Sequence, residues 1–177
     1  ITTTSGQTLI AHGVSTAITS GSVNRVTHFF AGSAATSTDI TTQLASGGGQ
    51  IGGYLTARDQ DIAGVLGSLD QLAFGITSAT NTQSVAGLDL SGTTGVNLFT
   101  RSTLAAGGAA TMSVAINNPS LVAAAAAGQG SGGNTNAASL ANLGNGTSAL
   151  LNNETPSNYY SSLVTSLGSL VSQVETE

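Results

Sequence analysis

Along residues 51–79 the apolar positions fall at Ile51, Leu55, Ile62, Val65, Leu69, Leu72, Ile76 and Ala79, with Arg58 in the slot between Leu55 and Ile62. The steps alternate between four and three. A repeat of 3.5 residues keeps one stripe of a helix facing a neighbour, so the spacing predicts a helix over about residues 50–86 in an antiparallel bundle or coiled coil. Leu66, Ala73 and Phe74 widen the stripe and argue for two neighbours. Gly87 is the expected stop. The same spacing returns at Tyr160, Leu163, Leu167, Leu170 and Val174, in a helix expected over about 155–176. Thr155 can cap it, and Pro156 stands at the first helical position, where a missing N–H costs nothing. The two stripes are expected to meet as the seam of the bundle.

Ahead of Gly47-Gly48-Gly49 the period shortens. Runs such as Gln7–Ala11 and Val23–Phe30, punctuated by Gly and Ser, predict β-hairpins. Residues 87–133 are rich in Gly and Ala, with a strand-like Thr111–Ile116 and room for one helical turn at Ala123–Ala127. A short helix is expected from Asn134, as its cap, to Leu143, ended by Gly144. The fold class is therefore α+β: a β-rich hairpin subdomain over 1–47, then a helical bundle domain over 48–177 with a Gly/Ala-rich insert at 87–133.

Composition narrows what such a fold can do. Only 6% of the 177 residues are charged, and eight acids against Arg25, Arg58 and Arg101 leave a formal charge of -5. That balance offers nothing to nucleic acid or to anionic lipid, and no apolar run is expected to approach the ~20 residues of a transmembrane helix. Neither is expected as a partner. Without cysteine there are no disulfides, thiolate metal ligands or cysteine nucleophiles. A surface rich in Ser, Thr, Asn and Gln but poor in ions suits packing against copies of the same chain.

The candidate chemistry is thin. Gly47-Gly48-Gly49-Gln50-Ile51-Gly52 satisfies the G-x-G-x-x-G pattern, with Asp70 some twenty residues on. In a dinucleotide site, however, that acid ends a second strand, and Asp70 falls inside the predicted helix. His12 and His28 stand sixteen residues apart with no acid beside them in sequence, too few ligands for a metal. No G-x-S-x-G elbow marks a serine nucleophile. Asp59 and Asp61 are two apart and face different ways on a helix, whereas Arg58 and Asp61 are three apart and can pair. Arg58 can lay its stem along the apolar stripe and reach Asp61 or an acid on a neighbouring helix. Asn145-Gly146-Thr147 and Asn153-Glu154-Thr155 match the glycosylation sequon and read as chance or turn chemistry. No catalytic, cofactor or metal-binding residue is expected, and the chain is read as no enzyme.

The order of motifs carries a resemblance. Gly48-Gly49-Gln50-Ile51-Gly52-Gly53-Tyr54-Leu55-Thr56-Ala57-Arg58-Asp59, then Leu69-Asp70-Gln71-Leu72-Ala73, Asn81-Thr82-Gln83, Gly87-Leu88-Asp89-Leu90-Ser91-Gly92 and Gly95-Val96-Asn97-Leu98-Phe99 resemble the central helical domain of flagellar hook-associated protein 1. Asn134-Thr135-Asn136 and Thr155–Val174 resemble the later helices of that family. The likeness covers roughly residues 48–174. It implies a structural protein of the bacterial flagellum at the hook-filament junction, forming a ring of copies between the hook protein and a second junction protein. It further implies secretion through the flagellar export apparatus with a chaperone, which accords with the lack of a signal-peptide pattern at Ile1-Thr2-Thr3-Thr4. The chain then reads as a core that lacks the terminal coiled coils of the family. Two other readings share the composition. One is another secreted filament or surface protein, flagellin-like or an adhesin; the other is an enzyme, which would need His12 or His28 in a pocket with an acid.

Overall fold

A computed structural model of the chain describes residues 6, 8–33 and 35–176, with side chains described through residue 173. The fold is α+β, with one long helix and two small antiparallel sheets. It divides into two compact units, Ile1–Ala63 and Gly64–Glu177, and the helical run Gly49–Ala86 passes from the first into the second.

In the first unit, β1 (Ile10–Ala11) and β2 (Val14–Ser15) pair across His12-Gly13, and β3 (Ile18–Val23) pairs with β4 (Val26–Ala31) across Asn24-Arg25. Both two-residue turns have positive φ at each central position, 51° and 79° in the first and 51° and 68° in the second. That is the backbone whose twist matches a right-handed hairpin. The run Val23–Phe30 is thus no single strand, since its Asn-Arg pair is a turn. A third strand, β5 (Thr38–Asp39), adds to β4. The chain then forms α1 (Thr41–Ser46), a short helix that the strand pattern concealed, and α2 (Gly49–Thr56). Ala31, Ile40 and Leu55 form the buried apolar positions here.

Between α2 and α3 (Ala63–Ala86), residues Ala57–Ile62 form a π-helical turn. Bonding from i to i+5 takes up one more residue per turn than an α-helix does, so positions beyond it are rotated by about 100° from the phase set before it. Burial follows that shift. The buried positions of α3 are Ala73, Gly75, Thr77, Asn81 and Ser84, while the predicted Leu72 and Ile76 are half-buried.

The second unit packs a coil against that small-residue face. The expected strand Thr111–Ile116 is reduced to a single bridge between Phe99 and Val114, because Thr111 closes α4 (Gly108–Thr111). Ala123–Ala127 forms no helical turn. Ala125 instead exchanges both backbone hydrogen bonds with Leu88, and its small side chain and that of Ala123 are buried there. α5 (Thr135–Asn142) forms where expected, although the Asn134 side chain makes no capping bond, and Gly144 lies in a 3-10 turn over Leu143–Asn145. α6 (Pro156–Thr176) begins at the proline, with the Thr155 hydroxyl accepting the Asn158 N–H. It packs on the Leu143–Asn145 turn and buries none of its described side chains. Leu151 is almost entirely buried. It lies over Gly75, where a Cβ would come within 2.7 Å of its Cδ2.

Candidate functional site

The polar side chains of α3 do the specific work in the second unit. Asn81 uses both ends of its amide on one residue, donating from Nδ2 to the Phe99 carbonyl at 3.1 Å and accepting the Phe99 N–H on Oδ1 at 3.0 Å. It thereby completes the backbone pairing that a strand would have supplied. Three residues on, the buried Ser84 hydroxyl donates to the Val96 carbonyl at 2.7 Å. Gln83 donates to Asn136 Oδ1 at 2.6 Å, and Asn136 passes the connection to the Ala123 carbonyl at 2.6 Å. Nearer the helix start, the Asp70 carboxylate accepts the N–H groups of Gly107 and Ala109 at 2.7 and 2.9 Å, and Gln71 donates to the Leu150 carbonyl at 2.6 Å. Removing Asp70, Gln71, Asn81, Ser84 or Asn136 leaves a backbone group without its partner, which costs about 1–3 kcal/mol where the group is buried. The Asp70 of the glycine-pattern reading is thus a helical residue occupied in holding α4.

The loop after α3 is closed by its own carboxylate. Asp89 Oδ1 accepts the Ser91 hydroxyl at 2.7 Å and the N–H groups of Ser91 and Thr93 at 2.9 Å each. The Ser91 hydroxyl and then the Thr93 N–H hold the Asp89 carboxyl below its ordinary 3.8. The turn returns the chain so that Gly95 N–H meets the Gly87 carbonyl at 2.9 Å. Gly95 must be glycine, because a Cβ there would strike the Ser84 carbonyl and lie 2.5 Å from Ala123 Cβ. Beside this loop an open groove of about 340 Å³ is lined by Leu88, Leu90, Pro119, Val122 and Ala124, and the one carboxylate on its wall, Asp89, is already engaged.

The first unit has its own polar fastenings. His28 Nδ1 lies 2.6 Å from Asp39 Oδ2, while Asp39 Oδ1 accepts the Thr41 N–H at 2.9 Å. The bonds from Thr41 first, and His28 after them, hold the Asp39 carboxyl below its ordinary value. So an acid does accompany His28, which no adjacent residue betrayed, but the pair joins β4 and β5 in partial exposure and its hydrogen bonds run to the start of α1. The acid that Arg58 meets is Asp59, by Nε at 2.5 Å and Nη2 at 2.7 Å, and Nη1 reaches the Thr27 carbonyl at 2.6 Å. Pairing with Asp61 assumed α-helical spacing, which the π turn removes.

Among the described residues of the predicted seam Leu55 is the one buried member, and Ile51 and Ile62 are 52% and 57% exposed. Val65, Leu69, Leu72 and Ile76 are half-buried, as are Leu163 and Leu170. Tyr160 and Leu167 are exposed, and the Val174 side chain lies outside those described. Among the described residues no group of three His, Cys, Asp or Glu could hold a metal ion.

By length and composition the helix Gly49–Ala86 is apolar enough to cross a membrane, with a mean hydropathy of 1.2. Scanning for unbroken apolar runs passes over it because Gly, Ser, Thr and Asp interrupt it. Several of its polar residues are engaged within the fold, among them Asp70, Gln71, Asn81 and Ser84.

Taken together these contacts define a structural module of the α+β class, in which side chains on one helix hold the module's own coil in place. Residues 1–99 match the model of the flagellar hook-associated protein FlgK helical domain, more than half the chain, and the chain belongs to that family. The family is a structural component of the bacterial flagellum. No curated protein matches the chain.

Proposed function

We propose that this chain joins hook to filament as an exported, extracellular part of the flagellum, packing against copies of itself in a ring between the hook protein and a second junction protein. Its passage to that place uses the flagellar export apparatus and a chaperone. The observation that carries the reading is a division of labour along the helices. The polar groups of α3 are bonded inward to the chain's own backbone, while Tyr160, Val164, Leu167 and Val171 on α6 stay exposed at helical spacing. An apolar stripe of this kind is what a neighbouring helix covers. The bundle seam then closes between helices of the assembly, with Leu163 and Leu170 beside the exposed stripe and Val65, Leu69, Leu72 and Ile76 on α3. Few ions need be desolvated at such a contact, and hydroxyl side chains can bond across it.

Replacing Leu167 and Val171 together by Asp tests this. The isolated chain should keep its helical circular dichroism and melting temperature, whereas incorporation into flagella, followed by antibody labelling of intact cells, should fail. Unchanged incorporation at the junction would refute the packing role.

A further inference from the structure

All eight acidic residues and two of the three arginines lie from Asp39 onward, a net of −6, so the first 38 residues carry a single charge, that of Arg25. Arg25 occupies the second turn position of the β3–β4 hairpin at φ 68°, where glycine is the unstrained residue. A non-glycine side chain in the left-handed region is strained. Such strain persists where the side chain has a use. Inside the chain it has none: Arg25 is exposed and makes no hydrogen bond or ion pair with any described residue, in contrast to Arg58. Val23 and Val26 flank it, each more than a third exposed.

The complementary group is on the same unit. Asp61, in the π turn, likewise makes no side-chain hydrogen bond or ion pair with the described residues, while Asp39, Asp59, Asp70 and Asp89 are all engaged. The exposed Ile62 adjoins it. We infer that the hairpin tip of one copy docks on the π turn of a second copy, Arg25 pairing with Asp61 between valines and Ile62. This contact rests on the self-packing reading above and names a pair of residues for it. The π turn and the hairpin already adjoin in one chain, where Arg58 donates to the Thr27 carbonyl, so each copy presents both groups of the pair close together. A net-negative chain repels its copies, and a lone cation placed on the neighbour's open carboxylate offsets that locally.

The test uses the full chain and sedimentation equilibrium at low salt. Arg25→Glu and Asp61→Arg should each weaken self-association about tenfold or more, since like charges then face each other. Mixing the two variants should restore it, because the carboxylate introduced at the hairpin tip of one variant meets the guanidinium introduced at the π turn of the other, and the native Arg25 and Asp61 meet at the next contact. Arg25→Gly should lose association while melting no lower than the parent, which separates the contact from a folding defect. If the parent associates and Arg25→Glu associates equally well, the contact is wrong and self-packing stands. If the parent remains monomeric at millimolar concentration, self-packing fails and the contact falls with it. Coupling of the two variants in melting temperature alone, without any in association, would place the pair within one chain and also overturn it.

Discussion

One continuous helix serves two units in different ways. Over Gly49–Ala63 it packs on its unit through the buried Gly52 and Leu55 and through Arg58 reaching the Thr27 carbonyl, and it leaves Ile51, Tyr54 and Ile62 exposed. Over Gly64–Ala86 its buried positions are small or polar, and it holds coil by amide, hydroxyl and carboxylate groups. The first half behaves as an amphipathic helix whose stripe is mostly uncovered. The second behaves more like the central strand of a sheet, offering hydrogen bonds to segments that have few of their own. A coil rich in Gly and Ala lacks large side chains to bury, so its position depends on bonds to its backbone and on close approach.

If that contrast is right, the largest losses come from filling the close approach and from emptying the one apolar anchor. Gly95→Ala should cost about 3 kcal/mol in urea unfolding, because the Ser84 carbonyl and Ala123 leave no room. Leu55→Ala should cost a similar amount, about 3 kcal/mol, by leaving a cavity in the first unit. Near-parental stability of Gly95→Ala would mean that the coil is loosely held. Next in size is Asn81→Ala, expected to cost about 2 kcal/mol because both the N–H and the carbonyl of Phe99 lose their partner. Hydrogen exchange sharpens the point: in this variant the Phe99 and Ala115 amides should lose protection, and those of β4 should not.

The long helix, its end at Ala86 and the proline-led start of α6 were legible from spacing and caps, since both signals are local. The phase of burial was not. Nothing in Ala57-Arg58-Asp59-Gln60-Asp61-Ile62 announces a π turn, and a heptad drawn through it stays regular on paper while the real face turns by about one residue. Asn81, Gln83, Gly87, Asp89 and Gly95 stood in the motifs that carried the family likeness, but their roles depend on partners as far away in sequence as Asn136. Only an Asn three residues before a Ser, followed by a Gly-rich segment, hinted at side chains that bond to backbone.

Acid should separate the units' fastenings from their apolar contacts. The Asp89 and Asp39 carboxyls are both held below 3.8 when folded, so their contribution is present above that value and is lost as pH falls through the lower folded values. Melting temperature should therefore drop as pH is lowered below about 4. Asp89→Asn keeps an acceptor for Ser91 and Thr93 and should flatten that drop; an unchanged acid profile would show that the loop's closure does not depend on the charge.

The smallest expected effect is the most discriminating for the helix itself. Ile51→Ser and Ile62→Ser alter members of the same predicted stripe as Leu55, with chemistry at least as disruptive as Leu55→Ala. Both positions are more than half exposed, so each change should fall within about 0.5 kcal/mol of the parent in urea unfolding. A loss at Ile62 comparable with that at Leu55 would mean that the stripe runs unbroken through residues 57–62, and the π turn would then be an incorrect account of why burial shifts. A loss confined to Leu55 leaves Ile51 and Ile62 as surface that the folded chain does not need, available to whatever it packs against.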